Sequence, residues 1–281
     1  HLSIRRQRQM CIRDRDIRIS NIFHTSGNAF IVALDHGILM GPIPGIENIE
    51  ESVGNIVKGN PDAIQVTPPV AKILKHNFLG RNSPSLVVRL DTSNLWRKTP
   101  APKQGYYSDI FSVKDAVKLD ADAIVTYLLL GFDDDSQEKD NMKILSNISK
   151  EAADYGIPLI IEPLPVTGDD YGKNSNNAEI IKLGARMSCE LGADLLKLDY
   201  TGDTNTFSDI VNSSFVPCLV RGGPKTETME DTLKIISDSL DSGAKGIVFG
   251  RNVWQSDNTT KTTSTLSKLV HGEIDISQAL D

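Results

Sequence analysis

Gly192-Ala193-Asp194-Leu195-Leu196-Lys197-Leu198-Asp199-Tyr200-Thr201-Gly202-Asp203 holds the unit from which this chain is built. A glycine closes the preceding amphipathic stretch, a short apolar run follows as a strand, and a polar turn opens the next helix. The run is continuously apolar rather than alternating, as expected for a parallel strand with helices on one face and a barrel core on the other. The same unit recurs in both directions along the chain. Strands are predicted at Phe30–Leu34, Ala63–Val66, Leu86–Leu90, Ala123–Tyr127, Leu159–Glu162, Leu195–Leu198, Cys218–Arg221 and Gly246–Phe249. Helical periodicity fits Ile46–Lys58, Pro69–Asn77, Val113–Leu119, Glu138–Tyr155, Ala178–Leu191, Asn205–Asn212, Met229–Ser242 and Thr260–His271, with Gly156, Gly192 and Gly243 where helices should end.

Eight βα units in 281 residues predict a single-domain α/β TIM barrel. An open doubly wound sheet is the rival, but no Gly-x-Gly-x-x-Gly follows the first strand. The longest irregular stretch, Asp91–Ile110, carries Trp96, Tyr106 and Tyr107 and is expected to lie over the active face.

Thirty basic against 37 acidic residues give a net charge of −7, with both signs spread along the chain. This argues against nucleic acid or an acidic membrane surface as partner. Cys11, Cys189 and Cys218 have no metal-like spacing, and His1, His24, His36, His76 and His271 are too scattered for a zinc set, so no metal is expected. No apolar run approaches a membrane span. A soluble cytoplasmic protein is expected. The first 18 residues differ, with six arginines and no lysine. A nucleic-acid arm or transit peptide is weakened by Asp14, Asp16 and the scarcity of serine. Arg6–Arg15 looks foreign to the rest, so residues 1–18 are expected to be poorly ordered or loosely packed, and 19–281 to form the barrel.

Chemistry in a TIM barrel gathers at the C-terminal ends of the strands. Those ends supply Asp35-His36-Gly37, Asp91, Glu162, Lys197, Arg221-Gly222-Gly223 and Gly250-Arg251-Asn252. A lysine ending a buried strand is either held charged by a partner or depressed by desolvation until its amine is a nucleophile. Glu162, in a partly dry pocket, is expected to have a raised pKa and to move a proton; a salt bridge to Lys197 is its plainer role. Asp35 is placed to bind a sugar hydroxyl or orient the lysine, with a structural turn as the alternative. A lone histidine such as His36 is more often a hydrogen-bonded turn residue. Gly222, Gly223, Gly250 and Arg251 form the loops that cradle phosphate in this barrel. Lys225 reads as a solvated loop charge.

Ala33-Leu34-Asp35-His36-Gly37 with Gly41-Pro42, Leu196 to Asp203, Gly222-Gly223-Pro224-Lys225-Thr226 and Gly250 to Gln255 together resemble the archaeal-type class I fructose-bisphosphate aldolases. The resemblance extends to the wider group around deoxyribose-phosphate aldolase and class I tagatose-bisphosphate aldolase, and it covers nearly all of the chain beyond the N-terminus. It implies a cofactor-free Schiff-base aldolase in which Lys197 forms an imine with a phosphorylated ketose, most simply fructose 1,6-bisphosphate or a close relative. Asp35 would contact sugar hydroxyls, and Gly222, Gly223, Gly250 and Arg251, with His36 nearby, would hold phosphate. A homo-oligomer is also implied. Two positions depart from the pattern. Where the archaeal-type enzymes carry Trp-x-Tyr-Pro with a proton-transferring tyrosine, this chain has Glu162-Pro163-Leu164-Pro165, closer to the tagatose branch, so the proton role passes to Glu162. Arg221 replaces a small residue and adds a charge for phosphate or another anionic group. The alternatives are a tagatose-bisphosphate or sulfosugar-phosphate aldolase, an autoinducer-2 phosphate thiolase, a transaldolase-like synthase, or a non-catalytic sugar-phosphate-binding barrel.

Overall fold

Eight parallel strands close on themselves in this computed structural model, which describes residues 14–101, 105–166 and 176–280. The strands are β1 (Ala29–Ala33), β2 (Ala63–Val66), β3 (Ser85–Arg89), β6 (Ala123–Leu130), β7 (Leu159–Pro165), β8 (Leu195–Leu198), β9 (Cys218–Arg221) and β10 (Gly246–Phe249). They pair in that order, and β10 returns to β1 with Ala29 opposite Gly246. The extra pair, β4 (Asp91–Ser93) and β5 (Tyr107–Asp109), is antiparallel and lies within the long stretch after β3. The single-domain TIM barrel predicted from the sequence is the fold observed.

Helices fill the connections: α1 (residues 14–22), α2 (Gly37–Met40), α3 (Ile49–Val57), α4 (Pro68–Ile73), α5 (Val113–Lys118), α6 (Asp135–Tyr155), α7 (Ala178–Glu190), α8 (Thr204–Ser213), α9 (Met229–Asp241), α10 (Arg251–Trp254), α11 (Thr259–Val270) and α12 (Ile276–Leu280). Local signals set their limits. Ser112 with Asp115 and Thr228 with Asp231 form capping boxes at the starts of α5 and α9, satisfying amides that the first turn leaves open. Gly156 ends α6 in the left-handed region at φ 63°. The helix predicted over Pro69–Asn77 stops at Ile73 and continues as a 3₁₀ turn, Lys75–Phe78.

Strand alternation divides the core into two layers. Phe30, Val32, Ile64, Val88, Ile161 and Leu196 face the helices. Ala29, Ile31, Ala33, Ala63, Val87, Ala123, Val125, Ile160, Leu195, Leu219 and Val248 fill the barrel interior. Counting on by two from these interior positions leads to Asp35, Gln65, Arg89, Tyr127, Glu162, Lys197 and Arg221, so the next inward layer is polar.

The N-terminal segment corrects one expectation. Residues 14–18 are not loosely packed but open α1, and residues 1–13 with Cys11 lie outside the described residues. Arg15 Nη1 lies 3.0 Å from Asp194 Oδ1, Arg18 donates to the Ala121 carbonyl, and Asn21 Nδ2 donates to Asp122 Oδ1 at 2.8 Å. Ile22 is fully buried in the interior cluster, so α1 plugs the end of the barrel opposite the polar layer. Ile22→Ala is expected to lower the unfolding free energy by about 2–4 kcal/mol in denaturant melts. A loss below ~1 kcal/mol would place α1 outside the cooperative unit.

Candidate active site

Arg89 is the side chain around which the polar layer is assembled. It ends β3, points inward and has no solvent exposure, so its charge must be met inside the protein. Three carboxylates meet it. Nε donates to Asp35, Nη1 donates to Asp91 Oδ1 at 2.9 Å, and Nη2 donates to Glu162 Oε2 at 2.5 Å. The guanidinium also lies 3.8 Å from the centre of the Tyr127 ring.

Lys197 stands beside this cluster on β8, almost fully buried. Nζ is 3.0 Å from Glu162 Oε2 and 3.5 Å from Gln65 Oε1, and Gln65 Nε2 donates to Asp35 Oδ2 at 2.6 Å. Gln65 therefore links Asp35 to the lysine. Glu162 is shared more widely, since Arg221 Nη1 lies 3.5 Å from its other oxygen. Arg221 Nε in turn donates to Asp199. The salt bridge weighed as the plainer role of Glu162 is present, with two arginines added to it.

This sharing reverses the pKa expected of Glu162. Burial alone would raise it, but Lys197, Arg89 and Arg221 together hold it below its ordinary value. Glu162 is thus held as a carboxylate, against the raised pKa expected of it in a partly dry pocket. Burial lowers the Lys197 pKa, and Arg89 adds to that; Glu162 and Asp35 oppose the shift without cancelling it. Both partners shift downward because Lys197 does not have the Glu162 charge to itself. Asp35 is held well below the carboxylate range by Arg89, Lys197 and His36, against the effect of burial. Asp91 and Asp199 are pushed upward by burial despite their arginine partners.

His36 follows Asp35, with Nδ1 3.6 Å from Asp35 Oδ1. Its pKa is pushed down to about 4, first by burial and then by Lys197 and Arg251, so it is neutral at physiological pH. The ring meets Trp254 edge-on at 5.3 Å, and a Cβ on Gly250 would fall 2.7 Å from its Cε1 and 2.9 Å from the Ala33 carbonyl oxygen. Only glycine fits there. Gly223 adopts φ 59° with open space around it. Asn252 ties the two glycine loops together: its Nδ2 donates to Gly222 O at 3.0 Å and Oδ1 accepts from Thr226 N at 2.8 Å. Arg251 Nε is buried without a hydrogen-bond partner, and Arg251 feels the nearby charge of Arg221. Arg221 is already met by Asp199 and Glu162, so it is Arg251, with its unpartnered Nε beside two glycine turns, that leaves this end of the site suited to an anion. Arg221, Gly222 and Gly223 also line a cavity of about 340 Å³ with Asp199 and Tyr200. Lys225 Nζ, expected only in solvent, donates to Gln255 O at 2.6 Å while remaining exposed.

Sequence reasoning had not singled out Gln65, Arg89, Tyr127 or Asp199. Their signal was present in part: Gln65 and Arg89 interrupt apolar parallel strands, and a polar side chain there must face either the helices or the barrel. Leu164, two residues beyond Glu162 on the same face, is buried among Leu39, Leu95, Tyr127, Leu129 and Val166 and carries no proton.

Residues 29–256 match the DeoC/LacD family aldolase. The chain belongs to this aldolase family. It is a carbon–carbon lyase by that membership. It is 47% identical, over 94% of its length and 97% of the relative's, to an uncharacterized aldolase of Saccharolobus solfataricus. It is 32% identical to a class 1 fructose-bisphosphate aldolase of Thermoproteus tenax, covering 92% of this chain and 96% of that protein. At 28% identity, covering 92% and 93%, it is similar to the 2-amino-3,7-dideoxy-D-threo-hept-6-ulosonate synthase of Halobacterium salinarum. Among solved structures, an archaeal fructose-1,6-bisphosphate aldolase with its catalytic lysine covalently bound to the carbinolamine intermediate of the substrate superposes with a TM-score of 0.78. The two are 31% identical over 92% of this chain and all of that one.

Arg89→Met tests the cluster by leaving its carboxylates buried without their shared cation. It is expected to lower stability by about 3–5 kcal/mol near neutral pH. Asp35 and Glu162 would then have folded-state pKa values above their unfolded ones, so part of the loss should return as pH falls to about 4. Denaturant melts at the two pH values would show this; equal losses at both would contradict it.

Proposed function

We propose that this aldolase works through a Schiff base on Lys197, cleaving a phosphorylated ketose to dihydroxyacetone phosphate and an aldehyde. The observation that carries the reading is the buried Lys197–Glu162 contact, in which a lysine of depressed pKa adjoins a carboxylate that three cations keep ionised. The neutral amine attacks the ketone and the carbinolamine loses water to give an iminium, an electron sink beside the bond to be broken. Glu162 takes the C4 hydroxyl proton as the C3–C4 bond breaks. Asp35 holds Gln65 and the lysine in place and offers its carboxylate to sugar hydroxyls. Gly222, Gly223, Gly250, Arg251 and Arg221 surround the phosphate, with His36 as a neutral neighbour. A diffusible sugar phosphate as substrate agrees with a cytoplasmic enzyme of carbohydrate metabolism. Fructose 1,6-bisphosphate is the first ketose to assay, since relatives at 31–32% identity carry that activity in their names.

Borohydride reduction with dihydroxyacetone phosphate should add one triose to Lys197, located by peptide mass spectrometry. Because burial lowers the amine's pKa, trapping should rise with pH and reach half its maximum below the ordinary lysine value of 10.5. An unmodified Lys197 would refute the imine.

Glu162→Gln keeps the shape but not the base. It should still trap the triose while cleavage falls about 10²–10⁴-fold; unchanged turnover would remove Glu162 from proton transfer. A second reading, a synthase that keeps the imine but passes the fragment to another acceptor, is favoured by the 28% identical synthase relative. A coupled assay for triose phosphate release separates the two.

A further inference from the structure

Cleavage through an imine moves two protons. One leaves the C4 hydroxyl as the C3–C4 bond breaks, and one must reach C3 of the enamine that remains on the lysine. Glu162, ionised by its cations, suits the first movement. The second needs a group that holds a proton at working pH and can pass it on. Among the described residues of this layer, Asp35 and Asp91 are bound to Arg89, and Asp199 to Arg221. The arginines hold their protons too firmly to donate them. His36 is turned toward Trp254 and Gly250, on the phosphate side.

Tyr127 is differently placed. β6 and β7 pair it in register with Glu162, so the two side chains leave neighbouring strands in the same direction, from backbones about 4.8 Å apart. The ring is 5% exposed and packs against both the Arg89 guanidinium, 3.8 Å from its centre, and the Trp96 ring, at 5.2 Å. Its amide donates to Asp91 Oδ2 at 2.5 Å, which ties the middle of β6 to the chain just beyond the end of β3. The phenol lies within electrostatic reach of Glu162, Asp35 and Asp91 and of Arg89, Arg221 and Arg251, so it shares the charged surroundings of the site. Burial and those carboxylates keep it protonated.

We propose that Tyr127 is a catalytic residue whose phenol relays to C3 of the bound enamine the proton that Glu162 takes from the C4 hydroxyl. The inference rests on the Schiff-base reading above. In cleavage the C3–C4 electron pair moves into the iminium, giving the enamine. The C4 hydroxyl proton passes to a Glu162 oxygen, and the aldehyde departs. The enamine then forms a C–H bond at C3 with the phenol proton while the phenol oxygen receives the proton from Glu162. The iminium is restored, and both side chains return to their starting states. Because the two transfers are joined, no free phenolate is required, and Arg89 over the ring offsets the negative charge that builds during the exchange.

The relay run in both directions, without any aldehyde, exchanges the C3 hydrogen of dihydroxyacetone phosphate with solvent. NMR in D₂O follows that exchange, and borohydride trapping follows the imine separately. Tyr127→Phe removes one oxygen from a ring that keeps its packing. It should trap the triose on Lys197 as the unaltered protein does, while exchange and cleavage both fall at least ~10²-fold. Exchange within about 3-fold of the unaltered protein would overturn the assignment. A Tyr127→Phe protein that no longer traps would overturn it too, by placing the hydroxyl in folding or imine formation. Failure of the unaltered protein to trap refutes the Schiff base and this relay with it.

Discussion

A guanidinium with no exposure, surrounded by carboxylates inside a barrel, is the constraint on which the rest of this site depends. Each of these ions alone would cost several kcal/mol to bury, so none could occupy the barrel mouth without the others. Arg89 makes the arrangement possible by reaching Asp35, Asp91 and Glu162 from one strand end. The consequence reaches the chemistry. A glutamate buried with only Lys197 would form a simple ion pair and hold the amine charged. Sharing Glu162 among Lys197, Arg89 and Arg221 keeps the carboxylate ionised and leaves the amine underserved.

The barrel supplies this geometry by layering. Small and branched side chains such as Ala29, Ala63, Ala123 and Val87 fill the lower interior, and Ile22 closes its end. One inward step higher, seven of the eight strands present a polar side chain and the eighth presents Gly250. One step higher again, the mouth divides: Leu129 and Leu164, opposite each other in register, begin an apolar side, while Asp199, paired with Arg221 of the layer below, begins a charged one.

The fold could be read from the chain because it rests on local, repeated signals. Strand runs and helix periods recur eight times, with glycines at three of the helix ends, and the closed barrel follows from the number of units. The gathering of Lys197, Asp35 and the glycine loops at one end of the barrel was legible because each follows or ends a strand, and parallel strands all end on the same face. The charge state of Glu162 was not, because it depends on Arg89 and Arg221, which are 73 and 59 positions away in sequence and meet it only through strand order. Tyr127 closed a predicted strand, yet nothing local shows that it stands opposite Glu162; that fact belongs to the β6–β7 register. The docking of α1 was missed because an arginine-rich segment suggests solvent, whereas Arg15 and Arg18 find partners in the turns before β8 and β6.

The central claim is that the cation cluster keeps Glu162 ionised beside a lysine of depressed pKa. Titration of the Glu162 side-chain carboxyl by ¹³C NMR, in protein labelled at glutamate and assigned with Glu162→Gln, tests it most directly. The cluster predicts a carboxylate that remains ionised down to a pH below the ordinary glutamate value of 4.5. A Glu162 resonance titrating near neutrality would mean that burial outweighs the three cations, and would contradict the account.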